Sequence, residues 1–280
     1  MREFKTLLNG LCFGEGPRWH DGRLFFSDMH AHKVMAVGLE GRATEIVEVP
    51  NLPSGLGWLP DGRMLIVSMR DRKLMRLDPD GLKEVVDLGG IASSHCNDMV
   101  VDRKGRAYIG NFGSDLWTGA PPKMAELVMV EPFGAARVVA RDLNFPNGTV
   151  ITADGKTLIV GESFGNRLTA FDIRPDGTLG NRRVWAELGD GTPDGIALDA
   201  EGAIWATSPM TSELLRVREG GEIAERIKMP LAPFACMLGG PDRRTLFVMT
   251  AETYHVDECI AKKSARIETT PVEVAGAGWP

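Results

Sequence analysis

Cysteine is scarce: four in 280 residues (Cys12, Cys96, Cys236 and Cys259), far apart and with no CxxC pair. That excludes a disulfide framework and sets a reducing cytoplasm as the expected compartment. No apolar run approaches the ~18–20 residues of a membrane span. The opening MREFKTLLNGLCFGEGPRW has one short apolar patch, cut by Asn9 and Gly10, and no small-residue cleavage site, so it reads as mature protein rather than a signal peptide. Lys and Arg are scattered rather than clustered, and the formal net charge is −6, which gives no reason to expect nucleic acid or an anionic membrane as partner. There is no Walker loop, no GxSxG elbow and no GxGxxG after a strand. Long helical periodicity is also missing. The one candidate, near Ala120 to Leu127, is broken by Pro121 and Pro122.

A repeat is present instead. A turn ending in Gly is followed by a short apolar run, a polar gap and a second apolar run. The copies are DGRLFFSDMHAHKVMAV from Asp21, DGRMLIVSMRDRKLMRLD from Asp61, KGRAYIGNFGSD from Lys104, DGKTLIVGESFGNRLTAFDI from Asp154 and EGAIWATSPMTSELLRV from Glu201, with a degenerate DRRTLFVMTAETYHV from Asp242. Counted on Gly22, Gly62, Gly105, Gly155, Gly202 and Arg243, the steps are 40, 43, 50, 47 and 41 residues. Asp-Gly between apolar runs marks a hairpin, because Gly accepts the positive φ of a tight turn. The period is that of a propeller blade; a β-sandwich has no reason to repeat at it. The expectation is an all-β chain, residues 1–280 forming one six-bladed β-propeller domain with four-stranded antiparallel blades around a central channel. A strand from Met1–Leu8 or Ile267–Val274 should complete the last blade and remove an open edge.

The innermost strand of each blade should be the segment before the turn. Counting seven residues back from Gly22 and eight from each of the other marks gives Glu15, Ser54, Asn97, Asn147, Asp194 and Ala235. Equivalent positions point at one axis, so Glu15, Asn97, Asn147 and Asp194 should converge. Two carboxylates and two amide oxygens form a hard, oxygen-only set suited to one divalent cation, with Ca²⁺ the leading candidate over Mg²⁺, Mn²⁺ or Zn²⁺. Without a cation, Glu15 and Asp194 would repel each other. The His30/His32 pair has no visible third ligand and reads, like His20 and His255, as exposed loop. Asp98 and Asp28 read as acceptors for backbone amides that shape their loops, and the cysteines as buried small residues.

GEGPRW (Gly14–Trp19), NDMVVDRKGRAYIG (Asn97–Gly110), FPNGTVITADGKTLIVGES (Phe145–Ser163), PDGIALDAEGAIW (Pro193–Trp205) and LGGPDRRTLFVMTA (Leu238–Ala251), in this order, resemble the gluconolactonase, regucalcin (senescence marker protein) and luciferin-regenerating enzyme family. The resemblance implies a divalent-metal-dependent hydrolase of a small lactone or related ester. It implies Glu15, Asn147 and Asp194 as metal ligands, Asn97 as a contact to metal or substrate, and Asp194 also as general base. His95 is the rival base. Members that act on sugar lactones carry an arginine and a glutamate where this chain has His95 and Asp115. That departure implies a less sugar-like, more apolar substrate, with His95, Asp115, Asn97, Trp117 and Phe164 as substrate contacts. Further candidates for the pocket mouth are Cys96, Met99, Phe112, Phe145, Met210 and Phe234. The rival readings are a phosphotriesterase, as in diisopropyl fluorophosphatase, and a non-enzymatic calcium-binding regulatory propeller. The expected assembly is a monomer or small homo-oligomer.

Overall fold

A computed structural model describes residues 2–279. Six four-stranded antiparallel sheets follow one another around a ring. Blade one runs from the channel outward as Gly14–His20, Arg23–Asp28, Lys33–Val37 and Ala43–Glu48. Blade two is Pro53–Trp58, Met64–Ser68, Lys73–Asp78 and Gly81–Asp87, and blade three Cys96–Val101, Ala107–Asn111, Ala125–Val130 and Ala136–Leu143. Blade four is Pro146–Ile151, Thr157–Glu162, Arg167–Ile173 and Leu179–Glu187, and blade five Ile196–Leu198, Ile204–Ser208, Glu213–Val217 and Ile223–Lys228. Blade six takes Ala232–Gly239, Thr245–Ala251 and Ala265–Pro271, and its outer strand is Lys5–Leu11.

The six-bladed propeller expected from the repeat is therefore present, and the chain start closes it. Thr6 stands opposite Glu268 in the closing pair, and its hydroxyl donates to that carboxylate at 3.0 Å. The rival closing segment, Ile267–Val274, overlaps the third strand instead; Met1 lies outside the described residues.

The second strands show why the repeat reads as unbroken apolar runs rather than alternation. Successive side chains of a strand point to opposite faces, and here both faces meet another blade. Leu24 and Phe26 pack toward blade six, whereas Phe25 packs toward blade two. Leu65 and Val67 face blade three; Ile66 faces blade one. Each of the six blade interfaces holds one apolar cluster. Truncating a fully buried side chain here, such as Leu24 to Ala, should cost about 2–5 kcal/mol.

Near the axis the inner strands approach so closely that side chains must be omitted. A Cβ at Gly148 would lie 2.5 Å from the Asp194 carbonyl oxygen, and one at Gly195 would lie 2.5 Å from the Ala235 Cα. These glycines follow Asn147 and Asp194, so blade packing holds the two polar residues at the channel.

Sequence reading missed a short helix, Val256–Lys262, inserted between the second and third strands of blade six. Asp257 and Glu258 in its first turn and Lys262 in its last favour the helix dipole. Only Cys259 is buried on it, which leaves too little apolar periodicity to recognise. No helix among the described residues is long and apolar enough to cross a membrane.

Candidate functional site

The inner strands begin at one end of the channel, and a cavity of about 900 Å³ opens there. Its lining includes Glu15, Asn97, Asn147 and Asp194, one residue from each of four blades. The other two positions of the ring, Ser54 and Ala235, are buried beside it. Ser54 still contributes: its hydroxyl donates to the Asn97 side-chain oxygen at 3.4 Å. The Asn147 side-chain nitrogen donates to the Ser163 hydroxyl at 3.2 Å, which itself donates to the Pro193 carbonyl at 2.7 Å. That chain fixes the Asn147 amide plane.

The two carboxyls lack a basic partner of their own. Burial pushes Glu15 well above the usual carboxylate range, and the negative charges of Asp194 and Asp98 add to the shift. Burial, then Asp98, pushes Asp194 up to about 8, against a smaller opposing effect of the Asn147 amide. The nearest guanidinium, Arg18, is engaged elsewhere: it donates to Asp98 at 2.6 Å and to the carbonyls of Leu56 and Met99. Asp98 thus makes a buried ion pair, correcting the expectation that it serves backbone amides. Asp28 does serve them, accepting from Phe13 at 2.8 Å and Cys12 at 3.3 Å. Sequence reading passed over Glu162, fully buried, which accepts from Thr169, Asn144, Arg167 and Arg182.

The donor set fits a hard divalent cation. No cluster of three or more His, Cys, Asp or Glu side chains suited to a metal occurs among the described residues. Two carboxylates plus amide oxygens therefore form the available set, and a cation there would offset the burial and the neighbouring negative charge that raise both carboxyls.

The pocket-mouth candidates fall into two groups. Phe112, Trp117, Phe145, Phe164, Met210 and Phe234 line the cavity. Cys96 and Met99 do not; both are buried between blades two and three. His95 and Asp115 are not among the lining residues either. The His95 ring packs against Trp117 and Phe112, with centroids 4.7 and 5.9 Å away. Its Nδ1 is buried without a hydrogen bond, 3.8 Å from Asp115. Burial lowers the His95 pKa. Asp115 accepts from the Thr118 amide and caps the turn Leu116–Thr118.

Two histidines differ from the expectation of an exposed loop. His30 is buried beside Phe13, 5.4 Å between rings. His20 ends the inner strand of blade one, half-buried and stacked on Trp58 with ring centroids 4.0 Å apart. His255 is exposed in a loop, as expected, and sits at the cavity rim with Glu252, Tyr254 and Glu258. The signal that could have found this rim is spacing. Four residues join the second and third strands in blades one, two, four and five (29–32, 69–72, 163–166, 209–212). Blades three and six use 112–124 and 252–264. All four cysteines are free and buried, as expected.

The SMP-30/Gluconolactonase/LRE-like profile matches residues 13–252, which takes in all six inner strands. The chain belongs to this family. Among its relatives, the 6-deoxy-6-sulfogluconolactonase of Pseudomonas putida is 25% identical over 278 residues, covering 95% of this chain and 94% of that protein. Regucalcin of Xenopus laevis is 23% identical over 247 residues, covering 85% and 83%. The solved structure of the calcium-binding protein regucalcin from Agrobacterium tumefaciens superposes with a TM-score of 0.84 at 23% identity, covering 100% of this chain and 97% of that one. Membership in the SMP-30/gluconolactonase/LRE-like family supports a lactonase-type hydrolase and agrees with the propeller read from the repeat.

Proposed function

We propose that this protein hydrolyses a small lactone with the help of one divalent cation, calcium foremost, held by Glu15, Asn147 and Asp194, with Asn97 beside it. The observation that carries the reading is the arrival of these four side chains, from four blades, at one cavity where two carboxyls stand without a cationic partner. A cation bound there supplies Lewis-acid polarisation of the ester carbonyl.

The chain's own residues do the rest. Asp194 takes the proton from the attacking water as its oxygen bonds to the carbonyl carbon. The ring C–O bond breaks, and the same carboxyl returns the proton to the departing ring oxygen. The product is the open hydroxy acid. Asn147, held by Ser163, and Asn97, held by Ser54, keep their side-chain amides fixed in the cavity. His95 packs against Phe112 and Trp117 and is not among the residues that line the cavity, which favours Asp194 as the base. The four buried thiols suit a reducing, cytoplasmic setting.

The test is a hydrolysis screen over lactones, aryl esters and organophosphates, before and after thorough chelation. Lactone turnover that disappears on chelation and returns with calcium supports the proposal. Turnover confined to organophosphates moves the assignment to a phosphotriesterase. Metal binding with no turnover of any class moves it to a calcium-binding regulatory propeller.

A further inference from the structure

In a ring of six, blades three and six face each other across the axis. These are the two blades whose second and third strands are joined by long segments, 112–124 and 252–264. Their chemistry is opposite. The blade-three segment brings Phe112, Leu116 and Trp117 to the cavity, and blade four extends this side with Phe145 and Phe164. The rings are in continuous contact: Trp117 to Phe112 at 5.5 Å, Phe112 to Phe145 at 4.9 Å, and Phe145 to Phe164 at 4.9 Å. The blade-six segment brings Glu252, Tyr254, His255 and Glu258 to the opposite side.

Phe145 stands at the centre of the aromatic side, and its backbone is left-handed, with φ +58°. Leu52, the residue before the matching proline of blade two, adopts the same conformation at φ +68°. In each case the carbonyl accepts a hydrogen bond from the end of the second strand, from Met69 in one blade and Ser163 in the other. Leu52 is fully buried in a blade interface. The same backbone device in blade four delivers a half-buried ring to the cavity instead.

We propose that the Phe112–Trp117–Phe145–Phe164 side is a subsite for an alkyl or aryl arm, and that the substrate is a lactone carrying such an arm rather than a polyhydroxylated one. This rests on the lactonase reading above. Hydroxyls turned toward this side would meet four rings whose one hydrogen-bonding group is the Trp117 indole N–H, and each hydroxyl stripped of water without a partner weakens binding. An apolar arm gains from the same surface. Each buried methylene should tighten binding about fourfold, the equivalent of ~0.8 kcal/mol. Phe145 is the central specificity-determining contact, and the inserted segment of blade six, with Glu252, His255 and Glu258, faces the polar end of the substrate.

The experiment uses δ-lactones with a straight alkyl arm lengthened one methylene at a time, together with glucono-δ-lactone, for turnover. The matching lactams, which resist hydrolysis, report binding by calorimetry with and without calcium. The expected result is a gain of about fourfold in lactam affinity per methylene over the first few, with gluconolactam binding no better than unsubstituted 2-piperidinone. Phe145→Asn keeps a residue that tolerates the left-handed backbone and removes the ring. It should cut the gain to less than about twofold per methylene. Phe164→Ser, at a position 45% exposed, should do the same to a smaller degree without threatening the fold. A flat lactam series in the wild-type protein, or tighter binding of gluconolactam than of the longest alkyl lactam, overturns the subsite even if lactones are hydrolysed. A steep lactam series with no lactone turnover upholds the subsite and strikes the hydrolytic reading instead.

Discussion

Two aspartates near the channel, Asp98 and Asp194, have opposite surroundings: one has a guanidinium partner and the other lines the cavity without one. Asp98 follows the channel position of blade three, where blades one, two, four and five place glycine. It meets Arg18 at 2.6 Å, both side chains almost wholly enclosed. Asp194 occupies the channel position of blade five, half-buried at the cavity, with Glu15 for a neighbour and no basic side chain to balance it. The acids at the opposite end of the inner strands follow the Asp98 pattern. Asp102 is held by Arg106 and Asp199 by Arg216, each at less than 3 Å, and each also accepts backbone amides of its turn. A buried acid with a guanidinium and amides is a structural clamp. Glu15 and Asp194, half-buried neighbours at the cavity, have no such partner.

Substitution at the two aspartates should separate these roles. Asp194→Asn keeps an oxygen and removes the proton acceptor, so lactone kcat should fall by about 10²–10⁴ with the fold intact. In chelated protein, the melting temperature should stay level or rise, since a neutral amide replaces a carboxyl that burial and Asp98 disfavour in its charged form. Asp98→Asn should do the reverse. It strands the buried Arg18 guanidinium and should cost about 3–5 kcal/mol of stability by denaturant titration. Equal stability losses in the two variants would break the comparison.

Glu162 sharpens it with a third acid. Burial raises its pKa, but hydrogen bonds from Arg167, Thr169 and the Asn144 amide outweigh that and hold it below the ordinary value. A depressed acid stabilises the fold above its unfolded pKa and loses that contribution as pH falls through the folded one. Glu162→Gln should therefore cost about 2–3 kcal/mol near pH 7. The gap to wild type should narrow below pH ~4.3. A gap that stays constant with pH would show that packing, not charge, makes Glu162 important.

The smallest effect should come from His30. Burial first, then the positive charges of Arg70 and His32, lower its pKa to about 4. The unfolded chain takes up this proton near pH ~6.5, earlier than the folded one, so its contribution is complete above that pH and is lost on acidification toward 4. His30→Phe should lose less thermal stability than wild type between pH 7 and 5. Identical slopes would mean that His30 is hydrated or paired in solution.

The fold was legible because the blade is a local unit. Asp-Gly turns and the doubly buried second strands repeat along the chain, so counting from each turn finds the channel positions. Glu15, Asn97, Asn147 and Asp194 follow from that count because the fold turns phase into convergence. His95 and Asp115 were less legible: Asp115 is turned to cap Leu116–Thr118, His95 packs against Phe112 and Trp117, and neither lines the cavity. The Arg18–Asp98 pair joins residues eighty positions apart, and no local pattern announces it. The blade-six insertion breaks the repeat that makes the rest readable, which is why its helix and the rim with His255 were missed.

The central claim is that Glu15 and Asp194 face each other in order to share a cation. Calorimetric titration of chelator-stripped protein with calcium tests it most directly, comparing wild type with Glu15→Gln, and with Asp115→Asn as a control outside the cavity wall. The account predicts one-to-one binding in the wild type and in Asp115→Asn, and an affinity at least about tenfold weaker in Glu15→Gln, which loses one of two balancing charges. Calcium binding that is unchanged by Glu15→Gln, or full lactone turnover in protein that binds no divalent cation, would contradict it.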